Sequence, residues 1–209
     1  MLLENKNAVV YGAGGAIGGA VARAFAREGA RVFLTGRTMD KIDAVAGDIS
    51  AAGGVVETAE VDVLDERAVE EHADAVAQRA GRIDVSFNSI GIPQQGVQGI
   101  PLVDLSPESF GLPIRTYTTA QFLTARAAAR RMVEHGSGVI LTLTATPARL
   151  AAPLVGAWER HGRRSKPSPG ACRRNSDRGA SVPSACGRTG SRRRRRFGKS
   201  TVFTPTAPA

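Results

Sequence analysis

Four glycines in one stretch, Gly12, Gly14, Gly15 and Gly18 of Y-G-A-G-G-A-I-G-G (Tyr11 to Gly19), are suited to holding a phosphate. Lacking Cβ atoms, they permit a tight turn and close approach of backbone to an anion. The stretch lies between the apolar run Ala8–Val9–Val10 and an amphipathic segment from Val21 to Glu28. A strand therefore leads in and a helix leads out, which is the setting a pyrophosphate-binding turn needs. The backbone of Ala16 and Ile17, between the glycines, belongs to the same helix start, where free N–H groups and the positive dipole end favour an anion. Ordinary turns also use glycines, so the order of elements around the cluster matters as much as the cluster.

That order is regular. Arg31 to Thr35 is a second buried strand. Asp40 to Ala52 is a helix with Ile42, Val45 and Ile49 at helical spacing. Val55 to Val63 contains a third strand, and Glu66 to Ala80 is a helix with Val69, Ala73 and Val76 inward. Ile83 to Asn88 is a fourth strand, Ala120 to Glu134 the clearest part of a helical region that begins at Pro107, and Val139 to Thr144 a fifth strand. Alternating βα units predict an α/β, Rossmann-like doubly wound parallel sheet with helices on both faces, truncated after the fifth strand. Right-handed crossovers would bring the glycine turn, Arg37, Asp62 and Asn88 to one edge, because each follows a strand end.

The net charge of +9 conceals an asymmetry. Residues 157–209 hold 14 Lys or Arg against Glu159 and Asp177, or +12, while residues 1–156 hold 14 basic and 17 acidic residues, or −3. Residues 1–155 therefore read as one dinucleotide-binding domain and residues 156–209 as a basic Arg/Gly/Ser/Pro-rich tail, expected to be disordered. No apolar run is long enough to span a membrane, and the N-terminal M-L-L-E-N-K-N has no secretory pattern. With Cys172 and Cys186 fitting neither a metal knuckle nor a disulfide scaffold, a cytoplasmic location is expected. His72, His135 and His161 lack metal-ligand spacing and read as surface residues, so no metal is expected.

The body resembles the short-chain dehydrogenase/reductase family. Y-G-A-G-G-A-I-G resembles its T-G-x-x-x-G-x-G turn, with Tyr11 for the Thr and Ala16 for the middle glycine. L-T-G-R (Leu34 to Arg37) resembles the second-strand end of members preferring NADP. D-V (Asp62–Val63) stands where the family contacts adenine, and N-S-I-G (Asn88 to Gly91) stands for N-N-A-G. Phe122 to Met132 resembles the long central helix, and Gly136 to Thr144 the strand bearing the catalytic serine. The resemblance implies hydride transfer between a nicotinamide cofactor and a small alcohol or carbonyl substrate, in a family usually homo-oligomeric. NAD-binding members carry an acid where this chain has Gly36 and then Arg37. An arginine can pair with a 2′-phosphate that an acid would repel, so NADP is favoured and NAD remains possible. Arg37 as a solvated surface residue, Asp62 as the cap of its own turn and Asn88 as a brace for loop backbone stay open as readings.

The family's general acid is a tyrosine, assisted by a lysine four residues later and by a serine on the substrate carbonyl. Here the serine place holds Ala145, with Thr144 beside it as a weak hydroxyl substitute. The tyrosine place holds Trp158, the lysine place Gly162, and the asparagine of the central helix is Tyr117. The chain has two tyrosines, Tyr11 and Tyr117, and no Tyr-x-x-x-Lys. Activity is therefore expected to be impaired or lost, with Tyr117 a remote candidate for a displaced acid.

The tail admits three readings: a native disordered arm, a nucleic-acid-binding arm held by phosphate neutralisation, or an out-of-frame translation. The third fits best. Codons shifted back by one base allow W-A-A-I-E-A-F-S-R-G-L-S-A-E-L-G-P-R-G-I-R, resembling the family's next helix, and demand no forbidden base. The alternative remains a non-catalytic nucleotide-binding domain whose Arg-rich tail binds nucleic acid. In the coding DNA, the shifted frame is expected to stay open past codon 157; a stop codon soon after it would refute the out-of-frame reading.

Overall fold

Five strands, β1 (Asn7–Tyr11), β2 (Arg31–Gly36), β3 (Val56–Glu60), β4 (Val85–Asn88) and β5 (Val139–Thr142), pair in parallel in the order β3-β2-β1-β4-β5. The computed structural model describes residues 1–92 and 95–143. Thr144, Ala145 and the basic tail, with the expectations placed on them, lie outside the described residues. Chain direction across the sheet reverses between β1 and β4. Tyr11 pairs with Thr35 on one side and with Asn88 on the other, so three strands end level. Ligand crevices in open α/β sheets form at such a reversal.

Side-chain alternation along each strand sends β1 residues to two different cores. Ala8 and Val10, with Val32 and Leu34, pack on helices α1 (Ala16–Arg27) and α2 (Met39–Ala51) through Ala22, Ile42, Val45 and Ile49. Val9, Tyr11 and Phe33 pack on α3 (Glu66–Ala80) and α4 (Pro107–Val133) through Val69, Ala73, Val76, Ala120 and Ala127. Helices thus cover both faces. Local signals set their limits: the Asp65 carboxylate caps α3 by accepting from the N–H groups of Arg67 and Ala68, and Gly81 ends it at φ +80°.

Two elements depart from expectation. The helical region is one continuous helix, α4, from Pro107, capped by the Ser106 hydroxyl accepting from Ser109 N–H at 3.1 Å. Gly111, Pro113 and the threonines of its first half hide the helical period. Pro113 removes one backbone donor, yet it is buried and so is held by packing. His72 is not a surface residue. It lies on the inward stripe of α3 between Val69 and Val76, edge-on to the Tyr11 ring with centroids 6.1 Å apart, and its Nδ1 is buried without a partner.

The two sheet edges differ. At β3, Glu57 binds Arg31 and Arg79; burial works to raise its pKa, and those hydrogen bonds prevail and lower it. At β5 all four residues are exposed and none is charged. Helices α3 and α4 are tied on their outer side by Glu66, Glu70 and Asp74 to Arg126, Arg130 and Arg131.

Burial, then the nearby Arg79, lower the His72 pKa from 6.5 to about 4, against a smaller opposing effect of Glu57. Between these values the unfolded chain binds the extra proton. His72 therefore favours the fold fully above pH 6.5, and its contribution is lost as pH falls toward 4, by at most about 3 kcal/mol. Denaturant titrations from pH 7 to 4 should show this loss, and His72→Phe should flatten it; an equally steep loss in that variant would refute the assignment.

Candidate dinucleotide-binding site

The turn after β1 is built by its glycines. Gly12 takes φ +77°, a conformation costly for residues with a Cβ. Its N–H and that of Ala13 both donate to Thr35 O at 2.9 Å, and Gly15 N–H donates back to Gly12 O at 3.1 Å. Gly18 is buried against this turn. A Cβ there would sit 2.5 Å from the Ser89 hydroxyl and closer still to Gly12 O. α1 begins with Gly15 as an N-cap without a side-chain cap, and no acid stands in its first turn. The N–H groups of Ala16, Ile17 and Gly18 precede the first helical bond, Gly19 N–H to Gly15 O, and are free for an anion.

A cleft of about 420 Å³ opens over this turn. Of the residues singled out in the sequence, Gly12, Gly14, Gly15, Arg37, Asp62, Val63 and Gly91 line it. Ala16 and Ile17 stand at the exposed start of α1 and Gly18 beneath the turn, outside the lining. Asn88 lies below the cleft floor, 2% exposed. Its amide donates to Ala120 O at 3.2 Å and to the Thr124 hydroxyl at 3.0 Å, and its carbonyl oxygen accepts from Ile90 N–H at 3.1 Å. It shapes the 88–91 loop through that loop's backbone. Asp62 both lines the cleft and caps its turn, accepting from Leu64 N–H at 3.0 Å.

Sequence reasoning missed several residues. Lys41 and Thr38, at the start of α2, join Arg37 on the cleft wall. Thr38 is the N-cap, but its side chain makes no capping bond, and neither Arg37 nor Lys41 has an ion-pair partner among the described residues. A lysine in a helix's first turn opposes the dipole. That misplacement was the legible signal of an anion site. Ser89 was also missed; its hydroxyl donates to Tyr11 O at 3.0 Å and so ties β4 to the glycine turn. Leu112 and Thr116 of α4 close the far wall.

The ionisable groups among these lining residues, Arg37, Lys41 and Asp62, gather at the β2–β3 end. Toward Ile90, Ile92 and Thr116 the wall offers no titratable group among the described residues. Tyr117, the nearest phenol in the sequence, accepts from Ile92 N–H at 3.3 Å; burial raises its pKa, the hydrogen bond lowering it less. Tyr11 is buried in the core, where burial drives its pKa up. The arrangement can seat an extended anionic dinucleotide, with its phosphates on the glycine turn and a further anion at Arg37 and Lys41. Among the described residues no group of three or more His, Cys, Asp or Glu could hold a metal.

Comparison with known proteins agrees with this geometry. The family model described as Enoyl-(Acyl carrier protein) reductase matches residues 12–158. D-Threitol dehydrogenase of Mycolicibacterium smegmatis is 32% identical over 71% of this chain and 56% of its own length. A metagenomic short-chain oxidoreductase solved in complex with NADP is 33% identical with a TM-score of 0.68, covering 76% of this chain and 70% of its own. An NAD+-bound xylitol dehydrogenase is 26% identical with a TM-score of 0.70, covering 76% and 60%. The chain spans little more than half the length of the first curated relatives it matches.

Gly18→Ala tests the turn. The added methyl must displace Gly12 O or Ser89, so dinucleotide affinity should fall at least tenfold with the fold retained. Unchanged affinity in a fluorescence titration would refute the close packing.

Proposed function

The chain belongs to the short-chain dehydrogenase/reductase family, and from that premise we propose that it is an NADP-binding member that holds its cofactor but transfers hydride poorly or not at all. The observation that carries the cofactor preference is the uncompensated pair Arg37 and Lys41 beside the free Thr38 hydroxyl, in one wall of the cleft. Two cations and a hydroxyl suit a ribose 2′-phosphate, and an NAD ribose would leave both cations without a partner. Such a cofactor supplies or accepts hydride at a carbonyl or alcohol carbon. The chain would have to supply the matching proton transfer.

The protonic half is the deficient part. Tyr11 is sealed between β1 and α3, Tyr117 is engaged with Ile92, and no Tyr-x-x-x-Lys occurs in the sequence. A positioned acid or base contributes about 10²- to 10⁴-fold to such a reaction, so its loss leaves little turnover. The substrate class, by kinship with D-threitol dehydrogenase and other relatives, is a small alcohol or its carbonyl product.

Titration with NADPH and NADH separates the claims. NADPH should bind more tightly. Arg37→Ala combined with Lys41→Ala should weaken NADPH about 10²- to 10⁴-fold, since charged hydrogen bonds are each worth about 1.5–3 kcal/mol and two are removed, and leave NADH nearly unchanged. Equal loss for both cofactors would overturn the assignment. NADPH oxidation with small ketones and aldehydes should stay at background; sustained turnover would overturn the claim of impaired catalysis.

A further inference from the structure

Among the described residues, the outer edge of β5 is unpaired and apolar, and its own sequence is complementary to itself. Val139 N–H donates to Asp84 O at 2.8 Å, toward β4. By strand alternation, the N–H and C=O groups of Ile140 and Thr142 point away from β4, and among the described residues nothing pairs with them. Val139, Ile140, Leu141 and Leu143 are 47%, 37%, 39% and 47% exposed. The run V-I-L-T-L has no charge, proline or glycine, the features that usually protect an edge. The opposite edge of the same sheet has them: β3 carries Glu57 and Glu60, and Glu57 is bound to two arginines.

We propose that β5 pairs antiparallel with β5 of a second copy, about a two-fold axis at Leu141, making one sheet across two chains. In that register Ile140 faces Thr142 of the other copy as a hydrogen-bonded pair, using the groups that point outward. Leu141 faces its own copy and Val139 faces Leu143, so one face carries a continuous row of apolar side chains. A shift by one residue would oppose groups that already point to β4. The register can therefore move only in steps of two, and of these steps this one sets Val139, Leu141 and Leu143 of the two copies against one another, so the contact closes as a dimer.

A second copy fits the edge better than the rest of this chain does. After Thr144 the sequence places Pro147 and Pro153 within ten residues, and beyond residue 157 it is dominated by Arg, Gly, Ser and Pro with no alternating apolar run. Its arginines find no carboxylate on β5.

The full chain should sediment at twice its own mass at micromolar concentration and dissociate on dilution. Amide exchange at Ile140 and Thr142 should be slow in the dimer and fast in the dilute monomer. Leu141→Lys sets like charges opposite each other and should raise the dissociation concentration at least tenfold, with an unchanged melting profile of the diluted chain. Val55→Lys, on another exposed apolar side chain, should leave assembly as it was. Three results would overturn the proposal. A monomer with slow exchange at both amides would mean that the chain's own remainder covers the edge. A monomer with fast exchange would mean that nothing does. A dimer or polymer indifferent to Leu141→Lys would mean that another surface assembles it.

Discussion

No side chain fits at position 18. The start of α1 passes so close to the carbonyl of Gly12 that a single methyl group would collide with it and with Ser89, and the rest of the ligand-facing edge depends on that contact. It brings the start of α1 against the turn after β1, so that the unpaired N–H groups of the helix begin directly beside the glycine turn. It also requires β4 to end level with β1, where the Ser89 hydroxyl can reach Tyr11 O. Asn88, one residue earlier, then spends its side chain on α4 and on Ile90 N–H. Removing the space at Gly18 would disturb the helix, the turn and the neighbouring strand end together.

Much of this architecture was readable because it rests on periods. Ile42, Val45 and Ile49, and Val69, Ala73 and Val76, are buried as their spacing implies, and the glycine turn sits where strand gives way to helix. Residues that work through a tertiary neighbour were harder to see. Ser89 looks like any loop serine until β1 is placed beside it. Lys41 looks like a solvated lysine until α2 turns its first residues toward the cleft. The front half of α4 was obscured because Pro113 and its threonines argue locally against helix, and the tertiary packing that buries Pro113 outweighs them. His72 was legible and overlooked: its place between Val69 and Val76 is an inward one.

The site divides along the sheet. The β1–β3 side carries the glycine turn, Arg37, Lys41 and Asp62, that is, fixed backbone together with the charged groups of the lining. The β4–β5 side, where family members place their proton-transfer residues, presents Ile90, Ile92, Leu112 and Thr116 among the described residues. Charged and uncharged walls thus belong to different halves of the sheet, so under the proposed function recognition and reaction would depend on separate sets of residues. A dinucleotide fold is in this sense weaker testimony to catalysis than to binding.

At the other end of the strands, Asp84 is 5% exposed and is held by Lys6, by Arg82 and by Asn7 N–H at 3.0 Å. It joins the beginnings of β1 and β4, while their far ends are joined by Ser89. Two bolts at opposite ends of one strand pair turn that pair into a rigid spine, from which outer strands and loops can vary without carrying the disturbance inward. Such a spine fixes the level of the strand ends beside the glycine turn from within the sheet itself, by contacts that involve neither β3 nor β5.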